Sequence, residues 1–157
     1  MGEEYSVQGV AARLQCRRTE VGMPNDAREV ATRWFSEVWN GRQDSRIDEL
    51  MAENVRGTHP AGEFQGRDGF RQMQRMFLSA LPDVHIVVED IIADGERVAV
   101  RWRATGTHTG DGFGFPASNR PFNIQGSSWM RVRDGKAVEG CDTWDLNGLL
   151  ASLRSDG

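Results

Sequence analysis

The spacing of apolar residues changes period once along this chain, close to Pro82, and that switch limits the folds open to it. Before Pro82, apolar side chains recur at helical spacing. Val30, Ala31, Trp34, Phe35, Val38 and Trp39 form one stripe, and Phe70, Met73, Phe77 and Leu81 form another. After it they alternate with polar ones, as Val98, Val100 and Trp102 do with Ala99, Arg101 and Arg103. A helix repeats every 3.6 residues and a strand every two, so the two halves call for different elements. Helices first and strands afterwards is an α+β arrangement.

Local signals mark the boundaries. Asp26-Ala-Arg-Glu29 has capping-box spacing, and Asn40-Gly41 stops the first helix. A short helix is expected over Asp44–Met51, and a third ends at Pro82. Asn54–Gly66 is rich in turn formers, with room for one short strand. Strands Val84–Ile92 and Arg97–Gly106 flank Asp94-Gly95, and strands of about Phe122–Arg133 and Ala137–Thr143 flank Asp134-Gly135. Asp-Gly between two alternating runs is a hairpin signal. Asp145 reads as the N-cap of a last helix, Leu146–Leu153. The expected fold is a strongly curved antiparallel sheet, built mainly from Val84–Thr143 and closed over by the N-terminal helices, with a pocket between them.

Composition narrows the function classes. A chain of 157 residues suits one domain, expected over 23–157. Met1–Gly22 lacks the apolar stretch of a signal peptide and reads as a flexible N-terminal extension. A net charge of -4 with scattered arginines argues against nucleic acid as a partner. No apolar run has membrane-spanning length. Two cysteines, Cys16 and Cys141, make no disulfide framework, so a reducing cytoplasm is the default location. Neither a zinc-type spacing of His and Cys nor a Gly-rich loop opening a helix is present, so no metal or nucleotide cofactor is expected.

Asp142 is the leading site candidate. Side chains alternate between the faces of a strand, so Val138, Gly140, Asp142 and Trp144 share one face. The preceding arm offers Ser128, Met130 and Val132 to the same side, with Trp129, Arg131 and Arg133 on the other. A carboxylate pointing into an apolar interior is costly and has its pKa raised, and such groups cluster at functional sites. The competing reading is an Asp hydrogen-bonded to a neighbouring group. Trp34, Phe77, Trp102 and Trp144 also fall on inward faces. Each reads singly as core, but together they could line a pocket for a hydrophobic small molecule.

The order of elements and several short runs resemble the SnoaL-like polyketide cyclases (ester cyclases) of the nuclear transport factor 2-like superfamily. The runs are Trp34-Phe-Ser-Glu-Val-Trp-Asn40, Thr58-His-Pro60, Leu81-Pro-Asp83, Gly95-Glu-Arg-Val-Ala-Val-Arg101, Gly106-Thr-His-Thr-Gly110, Arg133-Asp-Gly-Lys136, Glu139-Gly-Cys-Asp142 and Asp145-Leu-Asn-Gly-Leu-Leu150. They cover about Asp26 to Leu153. The resemblance implies a cone-shaped α+β barrel with a deep apolar cavity and no cofactor. It also implies ring closure by intramolecular aldol condensation, with an Asp in a His-Trp-Asp type run as the acid/base group. Here that run reads Gly140-Cys-Asp142. A second His on the adjacent strand of the characterised cyclases aligns with Ser128, and Pro116-Ala-Ser-Asn119 replaces the family's Pro-Thr-Gly turn.

Abstracting a proton α to a carbonyl needs a base near the working pH and a donor for the developing oxyanion. Asp142 supplies the base. His59 matches the family's His after the second helix and is the first choice as donor, against a local hydrogen bond beside Pro60. Ser128 is the second choice, and His108 reads as structural or as part of the pocket rim. The expectation is a cofactor-free enzyme performing aldol-type cyclisation or isomerisation on a hydrophobic molecule such as a polyketide derivative. The alternatives are a non-catalytic binding protein using the same cavity, or a hydrolase or hydroxylase, since fold does not decide chemistry. Trp129, Arg131, Arg133, Arg101 and Arg103 lie opposite the pocket face, and a face rich in Trp and Arg suits a homodimer interface.

Overall fold

The computed structural model describes residues 26–154, so the expected extension Met1–Gly22 lies outside the described residues. Asp26 caps helix α1 (Ala27–Arg33), its carboxylate accepting from Glu29 N at 2.8 Å. The helix then widens into a π-helical segment, Trp34–Asn40. At about 100° per residue, an α-helix would place Trp39 some 140° round from Trp34. The i→i+5 ladder of a π-helix brings both tryptophans to one side instead. The buried Gln74 side chain holds this segment, donating to Val38 O at 3.1 Å. Helices α2 (Ser45–Leu50), α3 (Gly66–Ala80) and α4 (Leu146–Leu153) follow the sequence pattern, and Asp145 caps α4 through Gly148 N.

Six strands form one sheet: β1 (Met51–His59), β2 (Gly62–Gln65), β3 (His85–Asp94), β4 (Arg97–Thr107), β5 (Pro121–Arg133) and β6 (Lys136–Trp144). Their order is β2-β1-β6-β5-β4-β3, so the sheet does not close into a barrel. Shifts of register in the β3–β4 and β5–β6 ladders mark bulges, which bend and twist strands. The helices cover the inner face. At the β5–β6 turn Asp134 and Gly135 both have positive φ, 51° and 75°, which is the type I′ hairpin geometry.

Two features differ from the sequence expectation. The sheet is mixed, because β1 enters between β2 and β6 and runs parallel to β6. Its nine residues include Glu53, Asn54 and Gly57, poor strand formers that read as turn, and pairing with β6 overrides that preference. The second difference is in β6. Arg131 pairs with Glu139 and Val132 with Ala137, so Val138 is an extra residue without a partner on β5. This bulge turns Ala137 inward to the core and separates Val138 from the face that carries Gly140, Asp142 and Trp144.

The exposed edge of β3 is covered by side chains rather than left open. The Asn40 amide accepts from Ile86 N at 2.8 Å and donates to Ile86 O at 2.7 Å, and Arg28 donates to Ile91 O. Such capping blunts an edge that would otherwise pair with another chain.

Candidate functional site

Trp102, Gly126 and Trp144 lie directly across from one another on β4, β5 and β6, as do Val100, Ser128 and Asp142 one step further along. Gly126 has no side chain, so the Trp102 ring lies over it, and that brings the indole nitrogen to Ser128. Trp102 Nε1 donates to Ser128 Oγ at 2.9 Å, and Ser128 Oγ donates to Asp142 Oδ1 at 2.5 Å. Ser128 is buried, with its single proton committed to the carboxylate and the indole N–H on its oxygen. It therefore orients Asp142 rather than standing free as a donor.

Asp142 as a whole residue is only partly buried, but its carboxyl is shielded from water. Burial pushes that carboxyl up to about 6 from the usual carboxylate range, and the Ser128 hydrogen bond pulls it part of the way back. At neutral pH it is a carboxylate poised to take a proton.

An apolar cavity lies under the helices, with about 70 Å³ open to the centre of a water molecule. All seven residues expected at the site line it: Trp34, His59, Phe77, Trp102, Ser128, Asp142 and Trp144. The π-helical segment adds Phe35 and Trp39. Trp39 sits on the apolar stripe of the first helix, where it reads as core, and only the widened turn turns it toward the cavity.

His59 ends β1, with its ring edge-on to Phe77 at a centroid distance of 6.1 Å. Its Nδ1 accepts from Ala61 N at 3.2 Å, which leaves the proton of the neutral ring on Nε2. Burial lowers its pKa from 6.5, so the ring is neutral at pH 7. The local hydrogen bond and the cavity position thus hold together: the first selects the tautomer that can donate from Nε2.

His108 is not at a rim. It is fully buried, and its Nδ1 accepts from Ser118 N at 3.1 Å. Its ring packs against Phe113 and Phe115, while Gly110 N donates to Ala80 O at the end of α3. It clamps the loop between β4 and β5, and Phe113 of that loop packs edge-on against the cavity residue Phe77. Among the described residues, no three His, Cys, Asp or Glu side chains converge on one point.

The structure is thus a curved, open α+β sheet that holds a desolvated carboxyl in a small cavity under a helical cover. The SnoaL-like polyketide cyclase profile matches residues 29–153, and the chain belongs to that family. Among solved structures, a SnoaL-like protein from Jannaschia sp. CCS1, assigned as a polyketide cyclase, superposes with a TM-score of 0.79 at 20% identity, covering 87% of this chain and 98% of that one. IdmH from Streptomyces antibioticus, also assigned as a polyketide cyclase, gives 0.71 at 27% identity over 80% and 96% of the two chains. AclR from Streptomyces galilaeus, assigned as a hydroxylase, gives 0.70 at 24% identity over 80% and 92%. A comparison with curated proteins finds no significant match. No helix among the described residues is long and apolar enough to cross a membrane.

Proposed function

We propose that this protein is an acid/base enzyme that removes a proton α to a carbonyl in a hydrophobic small molecule, leading to aldol-type ring closure or isomerisation. The observation that carries the reading is the Asp142 carboxyl, desolvated, oriented by Ser128 and standing in an apolar cavity. Asp142 takes the proton, and His59 Nε2–H meets the developing enolate oxygen. Trp34, Phe77, Trp102 and Trp144 hold the ligand and exclude water. Membership of the cyclase family supports the same class of chemistry. The reading includes a single domain over 23–157 in the cytoplasm, with Cys141 as an exposed thiol.

Exchange of α-protons for deuterium, followed by NMR over a panel of hydrophobic ketones and keto esters, tests this directly. Wild type should accelerate exchange and Asp142→Asn should not. Binding of the panel with no exchange by either protein would assign the cavity to binding alone.

The assembly proposed is a homodimer through the outer sheet face. There Arg131 lies over the Trp129 ring at 5.8 Å, Arg101 and Arg103 pair with Glu89, and Arg133 pairs with Glu96. These pairs fix the long side chains in place, which lowers the entropy lost on association. Light scattering at micromolar concentration should give twice the chain mass, falling to one chain mass for Trp129→Glu. A monomeric wild type removes the dimer.

A further inference from the structure

Asp142 and Trp34 also line a second, smaller cavity behind the first, against β1 and β6, with about 30 Å³ open to the centre of a water molecule. Its position follows from a break in the sheet. Between β1 and β6 the ladder runs from the pair Met51–Ala137 to the pair Arg56–Glu139, four residues intervening on β1 and only Val138 on β6. Two strands with such unequal lengths of chain between pairs cannot keep regular hydrogen bonding, and the cavity lies at that gap. Beyond it Gly57 faces Gly140; the Phe64 ring of β2 covers Gly57, so Gly140 alone leaves open space beside Asp142. A Cβ on Gly140 would have only Trp129 O near it, at an ordinary 3.6 Å. Thr58, Trp129, Glu139 and Cys141 line both this cavity and the groove on the outer face of the sheet.

We propose that this rear cavity is a water-filled proton route that joins Asp142 to solvent through the sheet between β1 and β6. It reaches solvent at the Arg56 and Glu63 end of the outer groove, on the β1–β2 side of the β4–β5 face assigned to the dimer. The proposal rests on Asp142 being the acid/base group. Its volume decides the occupant: a water needs roughly 10–15 Å³, so about two fit, and an organic substrate does not. The lining supplies polar partners in Thr58, Glu139 and Asp142. The route also answers a need of the chemistry, because a ligand filling the front cavity seals Asp142 from solvent on that side. When Asp142 takes a proton from carbon, the electron pair remains on the substrate as an enolate. The proton then passes from the carboxyl to the rear water and out, restoring the carboxylate. The oxyanion takes a proton from His59 Nε2–H, and the half-buried His59 ring recovers one from solvent, so none is gained or lost overall. The titratable groups lining the two cavities besides Asp142 are His59 in front and Glu139 and Cys141 behind. Glu139 is held by Arg56 and Arg131, each at 3.8 Å.

The test is Gly140→Val, which fills the rear cavity with a residue suited to a strand. Carbon-13 NMR of the Asp carboxyls reads Asp142 directly, assigned by its absence in Asp142→Asn. Its pKa should be higher in Gly140→Val than in wild type by about one unit, because removing the water desolvates the carboxyl further. Affinity for the neutral dye N-phenyl-1-naphthylamine in the front cavity should stay within about twofold, since the front lining is untouched. An unchanged carboxyl pKa in folded Gly140→Val overturns the route. If that variant does not fold, a high-resolution crystal structure of wild type decides: ordered water within hydrogen-bonding distance of Asp142 on the β1–β6 side supports the route, and a dry cavity overturns it. Loss of the acid/base reading would show separately, as α-proton exchange that Asp142→Asn leaves intact.

Discussion

Asp142→Asn should slow the chemical step at least about 10²-fold, the lower end of what a placed acid/base group contributes. Ligand affinity should hold, because the interaction lost is one made in the transition state. Asparagine keeps the size of the side chain and still accepts from Ser128, so the arrangement Trp102–Ser128–residue 142 survives while the proton acceptor does not. The same substitution has a readout that needs no substrate. The wild-type carboxyl titrates near 6 in the folded protein against 3.8 ordinarily. Below about pH 3.8 both folded and unfolded chains carry the proton, and the group does not affect stability. Between there and pH 6 the folded state keeps a proton that the unfolded state has shed, so stability falls as pH rises. Above pH 6 the full penalty applies, about 3 kcal/mol at 1.36 kcal/mol per pH unit. Asn carries no such penalty. Its melting temperature relative to wild type should therefore climb by roughly 6–12 °C between pH 4 and pH 7. Taking the difference between the two proteins cancels Glu49 and Glu96, whose ion pairs with arginines act in the opposite direction. A wild-type-minus-variant difference that is flat with pH would show that Asp142 is not desolvated, and the case for it as a base near neutrality would go with it.

What the sequence made legible depended on whether a residue's environment is set locally. The four strands after Pro82 follow from alternation and from Asp-Gly turns, which are properties of neighbours in the chain. Asp142 was visible for the same reason: Trp144 fixes the inward face, and two residues back the side chain points the same way. Ser128 directly across from Asp142 follows once the hairpin turn is placed. The features that escaped depend on partners far away. β1 is a strand because β6 lies beside it, although its own composition favours turns. The bulge at Val138 exists because β6 must satisfy β5 on one side and a misregistered β1 on the other. The π-helical segment leaves no mark on the apolar stripe, so Trp39 reads as core when it belongs to the cavity. The rear cavity is the clearest case. It lies beside Gly140, where no side chain fills the space, at a pairing between distant segments that no local pattern announces.

Gly126→Ala should combine loss of stability with loss of the site, although residue 126 makes no hydrogen bond through its side chain in either form. A Cβ there would clash with Cζ2 and Cη2 of the Trp102 ring and lie 2.9 Å from Trp144 Cβ. Backbone on both sides is held in the β4–β5–β6 ladder, so the strands cannot separate without breaking pairs. Trp102 is buried and its ring is rigid, which leaves one outlet: the ring swings off β5 into the cavity below. Overpacking of this kind costs about 1–3 kcal/mol, or roughly 2–12 °C in melting temperature for a domain of this size. The swing also withdraws the indole N–H from Ser128 and narrows the space between Trp102, Phe77 and Trp144. Affinity for N-phenyl-1-naphthylamine should fall at least about tenfold, a loss of roughly 1.4 kcal/mol. Double substitution separates the two causes. Trp102→Phe combined with Gly126→Ala removes the part of the indole that the new methyl would strike, so stability should recover. The Ser128 hydroxyl would then lack its indole donor, and the Asp142 pKa should differ from wild type in the recovered protein. If Gly126→Ala melts and binds like wild type, Trp102 is free to move without consequence, and the Trp102–Ser128–Asp142 chain does not hold the carboxyl in place.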